Sequence, residues 1–472
     1  MAKYYLTAAI PYVNAKPHIG HALEFIQADT IARHRKLIGD DVLFLSGGDE
    51  NAVKNVQAAE NLGKEVQAFI DENTKAFEDI ARRLNVSFDV FQKSSDPDHH
   101  YTASQKLWKL CEENGDIYKK SYRGLYCTGC ETFYTKEELN ENGECFEHPG
   151  KPLEEIEEEN YFFKLSNYQE KILELINSDA FQIVPEFRKN EILSFLKSGL
   201  QDFSISRSNA RAKNWGVPVP GDDTQRMYVW FDALNVYQSG IGFGWDEEKY
   251  NKWWPADLHV IGKGIIRFHA IYWPAILMSA KLPLPKKLFV HEYFTVDGQK
   301  MSKTIGNVYD PLVAIEKFGT DGLRYYCLAK ISPFQDGDFS EEKLKESYNS
   351  DLANGLGNLT ARVAKLCERA NFKAPEVEQK FDPEVEKLIG EFKFNEALSW
   401  IWEMISVADK RVSDTKPWEL SGTDLEEVLD ELVRIIQRVA INLQPFLPET
   451  SEKILKQYSG EIKSSDPLFP RI

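Results

Sequence analysis

The chain has 472 residues, with 57 Lys and Arg against 74 Asp and Glu, a formal net charge of −17. A field of that sign repels phosphate and excludes a general basic nucleic-acid coat, so any nucleic-acid contact must be local and set by shape. Hydrophobic residues make up 42% and charged residues 28%, ordinary values for a globular chain with room for about three domains.

Residues 3–10 (KYYLTAAI) read as a short strand rich in residues that favour pleated backbone. Two prolines and a glycine in PYVNAKPHIGH break it, and helical periodicity resumes at Ala22, Phe25, Ile26, Ile31 and Ala32. DDVLFLSGGDEN predicts a second strand ending in a glycine loop, with a helix expected over 52–62. This alternation predicts an α/β fold, a parallel doubly wound (Rossmann-like) sheet with ligands at the carboxyl ends of its strands. From 115 to 213 cysteines gather, and the run Glu154, Glu155, Glu157, Glu158, Glu159 reads as a solvated loop or helix face. Helical patches are expected near 169–176 and 191–200, and the stretch reads as an insertion that splits the sheet. α/β character returns over 226–295, followed by the loop DGQKMSKTIGN. Beyond about Ser340 helical periodicity runs to the end, as in Leu425, Val428, Leu429, Leu432, Val433 and Ile436, predicting a helical bundle. The expected division is 1–114 and 214–293 for the halves of the sheet domain, 115–213 for the insertion, 294–340 for the loop and its link, and 341–472 for the bundle. No membrane span is expected: the most apolar stretch, 261–280, contains Lys263, Arg267 and His269, and a span needs about 20 apolar residues. The first residues read as a buried strand, not a signal peptide.

Three constellations carry chemistry. Pro17-His18-Ile19-Gly20-His21 falls where a strand hands over to a helix. A helix start offers free N–H groups and a positive dipole end to phosphate. Two imidazoles add donors, and a glycine lets a nucleotide approach the backbone. Alone, the pattern reads equally as two surface histidines. Lys300-Met301-Ser302-Lys303-Thr304 lies between Asp297-Gly298 and Gly306. It puts two lysines on a loop able to swing onto a triphosphate and neutralise a departing pyrophosphate; alone, it reads equally as a solvated basic loop. Cys127, Cys130, Cys145 and His148 form two knuckle pairs separated by 14 residues, a ligand set for one structural, tetrahedral zinc, with a disulfide or incidental thiols as the alternative. The other cysteines, 111, 327 and 367, are scattered, which suits a reduced cytoplasm rather than a secreted disulfide framework.

In this order, the first two patterns resemble the HIGH and KMSKS motifs of class I aminoacyl-tRNA synthetases, with Thr304 where the family has a fifth-position Ser. The single knuckle and the modest length resemble the methionine-specific members, and the likeness runs from Ala8-Ala9-Ile10-Pro11-Tyr12 to the helical region. The resemblance implies ligation of methionine to tRNA in two steps, through methionyl-adenylate. It implies that His18, Gly20, His21, Lys300, Ser302 and Lys303 bind ATP, supplied with Mg2+, and that His18, His21, Lys300 and Lys303 are catalytic. Methionine would be held by Ile10, Tyr12, Asp49, Trp230, Ala233, Leu234, Tyr237, Ile265, His269 and Trp273, with Asp49 pairing with its ammonium. A thioether suits aromatic walls, because sulfur–aromatic contacts are favourable, though each aromatic reads equally as core. Asn358, Arg362 and Trp418 would meet the CAU anticodon of a methionine tRNA. Asn358 and Arg362 lie one turn apart and Trp418 would stack on an unpaired base; the alternatives are a helix-surface pair and a packed side chain. Residues 340–472 carry 18 basic against 25 acidic residues, so this contact would rest on stacking and base edges. The chain departs from the family at Asp49-Glu50-Asn51-Ala52, where Asp-Glu-His-Gly is frequent. It departs again at Gly262-Lys263-Gly264-Ile265, where many members have Gly-Lys-Asp-Ile, an acid placed to contact the ATP ribose. A cytoplasmic monomer is expected. A nucleotidylyltransferase of the same fold would leave the helical region and the knuckle unexplained, and a non-catalytic tRNA-binding paralogue is disfavoured by the intact histidines and lysines.

Overall fold

The computed structural model describes residues 2–127, 132–134, 139–146, 150–301 and 307–472, apart from the side chains of Tyr122, Thr132, Phe133 and Lys300. It divides into two units: Met1–Lys16, Asp40–Asp79 and Phe88–His291 form the first, and Pro17–Gly39, Ile80–Ser87 and Glu292–Ile472 the second.

The first unit is built on six parallel strands: β1 (Lys3–Ala8), β2 (Asp41–Gly48), β3 (Val90–Lys93), β4 (Gln182–Val184), β5 (Leu258–Gly262) and β6 (Lys287–His291). Their order across the sheet is β3-β2-β1-β5-β6-β4. The strand order reverses between β1 and β5, whose register pairs Leu6 with Leu258 and Ala8 with Val260. Such a reversal opens a crevice at the carboxyl ends of the strands, where ligands bind in doubly wound sheets. Tyr5, Leu45, Trp108, Phe163, Phe181 and Trp273 are fully or almost fully buried in one apolar cluster packed on the sheet. The three-residue β4, within the stretch expected to be the insertion, forms the sheet's edge by pairing with β6.

The acidic run is neither a loop nor a helix face. It lies in the strand Glu154–Phe163, paired antiparallel with Ile117–Cys127 in a four-stranded sheet. Side chains alternate: Glu155, Glu157 and Glu159 are exposed, whereas Ile156, Asn160 and Phe162 are buried, the period-two pattern of a half-buried strand. The facing strand supplies the opposite charge that makes this pairing favourable: Arg123 Nε reaches Glu155 at 3.0 Å and Lys119 Nζ approaches Glu159 at 3.9 Å. Helices Gln169–Asn177 and Glu186–Lys197 follow. The second begins earlier than the expected 191, because Pro185 caps it and Glu186 sits favourably in its first turn.

In the second unit, helix Ile19–Leu37 begins three residues before the expected Ala22 and places His34, Arg35 and Lys36 in its last turn, where positive charge meets the negative dipole end. Strand Phe294–Val296 forms a hairpin with Gln299–Lys300 and pairs in parallel with Gly337–Phe339. Beyond Ser340 the chain is helical, including Asn358–Ala370, Phe394–Thr415, Gly422–Leu443 and Pro448–Gln457. The Gly422–Leu443 helix buries Val428, Leu429, Leu432, Val433 and Ile436, the face expected from periodicity. Arg324, on helix Pro311–Tyr325, is fully buried. Its guanidinium pairs with Asp29 of the Ile19–Leu37 helix at 2.8 Å and donates to the carbonyls of Phe446 (2.8 Å), Pro445 (3.0 Å) and Leu84 (3.2 Å). Among the described residues no helix is long and apolar enough to cross a membrane.

Candidate active site

In the first unit, the segments leaving β1 and β2 are tied at the sheet's carboxyl edge. Tyr12 and Asp49 form an isolated parallel bridge, in which Asp49 N donates to Pro11 O at 2.9 Å. Asn55 Nδ2 donates to Asp49 O at 2.8 Å. The Asp49 carboxylate is thus carried on a fixed backbone, and the residue is buried.

The aromatic wall comes from two segments that follow β4 and β5. Helix Val229–Ala233 carries Trp230 and Ala233, Leu234 follows, and Val236–Ser239 carries Tyr237. After β5, the turn Lys263–Ile265 leads to the helical segments Phe268–Tyr272 and Trp273–Ser279. Trp230 stacks on Phe268 with ring centroids 3.7 Å apart and planes 4° from parallel, and Tyr12 meets Trp230 edge-on at 6.2 Å. Ile10, Tyr12, Trp230, Ala233, Leu234, Tyr237, Ile265 and Trp273 all belong to, or pack against, the unit's apolar cluster.

Two polar groups are set into this wall. His269 Nδ1 lies 3.0 Å from Ile265 O. A carbonyl only accepts, so Nδ1 carries the proton and Nε2 accepts from the Tyr237 hydroxyl at 2.8 Å. Burial lowers the His269 pKa to about 4, so the ring is neutral at physiological pH. His259, on β5, is buried nearby with its Nδ1 2.7 Å from Thr7 Oγ1, and burial again holds its pKa well below the usual range. The result is a polarizable aromatic surface with one neutral Tyr–His pair and one carboxylate.

The HIGH pattern lies in the second unit and builds its own helix cap. His18 is the N-cap of helix Ile19–Leu37: its Nδ1 accepts from Gly20 N at 3.1 Å, and His21 Nδ1 accepts from His18 N at 3.1 Å. The rings stack at 3.8 Å. Ile19 N donates to Tyr309 O and His21 N to His18 O. The free N–H groups expected at this helix start are therefore taken, and because each Nδ1 is an acceptor, each neutral ring carries its hydrogen on Nε2. A Cβ added at Gly20 would meet His18 Cε1 at 3.0 Å and Met301 Cε at 3.2 Å, so a larger residue would press on the His18 ring and the Met301 side chain.

The KMSKS pattern begins on the hairpin strand Gln299–Lys300, whose turn uses Asp297 and Gly298 at positive φ. Asp338 pins that turn, accepting from Gly298 N at 2.6 Å and Thr295 Oγ1 at 2.7 Å, and its bond from Lys343 Nζ at 2.7 Å, together with these two, lowers its pKa to about 2. Ser302, Lys303 and Thr304 lie outside the described residues, as does the Lys300 side chain. Of the four expected zinc ligands, Cys127 and Cys145 are buried. Their chemistry suits a soft metal, while Cys130 and His148 lie outside the described residues. Among the described residues no group of three or more His, Cys, Asp and Glu gathers for a metal. Asn358 and Arg362 share one face of helix Asn358–Ala370; Asn358 is exposed and Arg362 pairs with Asp409 at 2.8 Å. Trp418, just past the Phe394–Thr415 helix, is 54% exposed and so is not a core residue.

Sequence reading did not single out Phe268, His259 or Asp232, and gave Asn51 only as a departure from the family pattern. Phe268 adjoins a predicted histidine and carries an aromatic signal; the others declare themselves only through partners far along the chain.

The family of class I (M) tRNA synthetases matches residues 4–364. The chain is 42% identical to the methionine--tRNA ligase of Thermotoga maritima, over 98% of this chain and 76% of the relative. It is 42% identical to that of Brucella suis biovar 1, over 99% and 98%. The Mycobacterium tuberculosis methionyl-tRNA synthetase in complex with methionyl-adenylate superposes with a TM-score of 0.92 at 37% identity, covering 100% of both chains. The crevice at the sheet's carboxyl edge, the paired-histidine helix cap and identities of this extent lead to one conclusion: the chain belongs to the methionyl-tRNA synthetases of class I.

Proposed function

We propose the following roles in the reaction of this family, ATP-dependent formation of methionyl-adenylate and transfer of the methionyl group to the 3′ adenosine of a methionine tRNA. The observation that carries the amino-acid assignment is the Trp230–Phe268 stack beside the neutral Tyr237–His269 pair, a polarizable surface for a thioether. Asp49 pairs with the substrate ammonium. Ile10, Tyr12, Ala233, Leu234, Ile265 and Trp273 complete the apolar lining.

The methionine carboxylate, ionised at neutral pH, attacks the α-phosphorus of MgATP, and pyrophosphate leaves. No general base is required. His18 and His21 donate through Nε2–H to phosphate oxygens as charge develops, the form of stabilisation that preorganised donors provide. Gly20 admits the nucleotide to the helix start. Lys300 and Lys303, with Ser302 between them, hold the β- and γ-phosphates. Asn358, Arg362 and the exposed Trp418 meet the CAU anticodon, with Trp418 stacking on a base.

Cys127, Cys130, Cys145 and His148 hold one structural zinc, which would order a segment too short to have its own core. One zinc per chain, lost in Cys145→Ser, is expected by metal analysis; a metal-free and fully active wild type overturns the site. The free thiols Cys111, Cys327 and Cys367 suit a reducing, cytoplasmic setting. The enzyme acts as a monomer, which sedimentation tests.

The deciding experiment is ATP–pyrophosphate exchange with each of the twenty amino acids and no tRNA. Exchange with methionine alone is expected. Exchange with a different amino acid overturns the pocket assignment, and none with any of them, from folded and zinc-loaded protein, overturns the activation step.

A further inference from the structure

We propose that Asn51 and Asp232 form a clasp that sets the length of amino acid the pocket accepts, an inference that rests on the methionine reading above. Asn51 lies two residues after Asp49, and Asp232 lies between Trp230 and Ala233 on helix Val229–Ala233. Both are buried. The Asn51 side-chain amide donates to Asp232 Oδ2 at 2.6 Å and to Ser94 O, just past β3, at 2.7 Å. The carboxylate also faces His100 Nε2 at 3.7 Å, and His100 is itself held by Ser239 at 2.8 Å and Ser104 at 3.3 Å.

The clasp joins the two walls that grip opposite ends of the substrate. The loop with Asp49 receives the ammonium, and the helix with Trp230 is followed by the short helix Val236–Ser239, which carries Tyr237 next to the side-chain tip. The spacing of these anchors measures the amino acid. In a buried, low-dielectric setting a hydrogen bond is strengthened and an unpaired polar group is costly, so the 2.6 Å contact holds the spacing stiffly. Neither residue touches reacting atoms; both are positioning residues.

The test compares kcat/KM for methionine with that for ethionine, one carbon longer beyond the sulfur, in pyrophosphate exchange. One methylene in a well-fitted apolar pocket changes kcat/KM by about tenfold or more. Asp232→Ala and Asn51→Ala are expected to lower the methionine-to-ethionine ratio about tenfold, with the methionine KM raised and the ATP KM unchanged. Asp232→Asn keeps an acceptor for Asn51 and is expected to keep the wild-type ratio. A partly unfolded preparation lowers both substrates equally and leaves the ratio alone, so a merely structural role does not imitate the result. If Asp232→Ala fails to fold, Asn51→Ala decides, because Asp232 still faces His100 there. An unchanged ratio in folded Asn51→Ala overturns the clasp and leaves the methionine reading intact; a wild type that exchanges with no methionine overturns both.

Discussion

The molecule uses two pairs of histidines in opposite ways. In the first unit, His259 and His269 are buried and neutral, and His269 Nδ1 donates to a carbonyl so that Nε2 accepts from Tyr237. In the second unit, His18 and His21 take backbone N–H groups on Nδ1, which places the hydrogen of each neutral ring on Nε2. The same side chain is thus made an acceptor set in an apolar wall or a donor at a helix start. For His18, His21 and His269, what decides is the partner on Nδ1, a backbone group that the local fold supplies. The two states suit the two ends of the proposed reaction: an uncharged neighbour for a thioether, and donors aimed at phosphate.

Breaking the donor pair gives the largest expected effect. His21→Ala should slow adenylate formation about 10²–10³-fold, the usual loss for a donor to developing oxyanion charge, with methionine affinity nearly unchanged. Equal losses in both, measured by exchange kinetics and methionine binding, remove the transition-state role. The acceptor pair is tested next by pH. The unfolded His269 imidazole binds a proton near 6.5 and the folded one only near 4. Between these values the unfolded state carries the extra proton, so stability is full above about pH 6.5 and falls as pH drops towards 4, by roughly 3 kcal/mol. His269→Gln should flatten that slope in denaturant titrations without abolishing it, because His259 contributes its own; an unaltered slope refutes the buried neutral state. Tyr237→Phe should be milder. It leaves His269 Nε2 without its donor, a loss of about 1–3 kcal/mol, read as a methionine KM raised about tenfold with the ATP KM constant. The smallest effect belongs to a residue outside both pairs: Trp418→Ala should raise the tRNA KM about five- to tenfold, as loss of one stacked base does, and leave exchange untouched. A collapse of exchange makes Trp418 structural.

The parallel sheet and the helical run after Ser340 were legible in the sequence, because period-two and period-3.6 patterns are local signals. The residues of the aromatic wall could be named, but the Trp230–Phe268 stack and the tautomer of His269 arise from packing between segments that no local pattern relates. The acidic run misled for the same reason. Its glutamates are largely exposed, as a solvated surface requires, but they lie on a strand, where Glu155 and Glu159 meet Arg123 and Lys119, 32 and 40 positions earlier on the neighbouring strand. The Ile19–Leu37 helix started early because histidine is not among the usual capping residues, yet here two of them close a capping box. Asn51 and Asp232 are 181 positions apart, and nothing near either one announces the other.

Arg324 bears on how this chain could be divided. The change of character near residue 340 invites a cut, with the helices discarded as a detachable module. Yet the guanidinium that holds Asp29, on the helix begun by His18, also ties down the carbonyls of Pro445 and Phe446. A fragment ending at 340 would deprive this guanidinium of the Pro445 and Phe446 carbonyls, and hydrogen bonds to a charged group contribute about 1.5–3 kcal/mol each. The histidine helix and the segment around Phe446 therefore mature together: during synthesis, the first is not fully secured until Pro445 and Phe446 have left the ribosome.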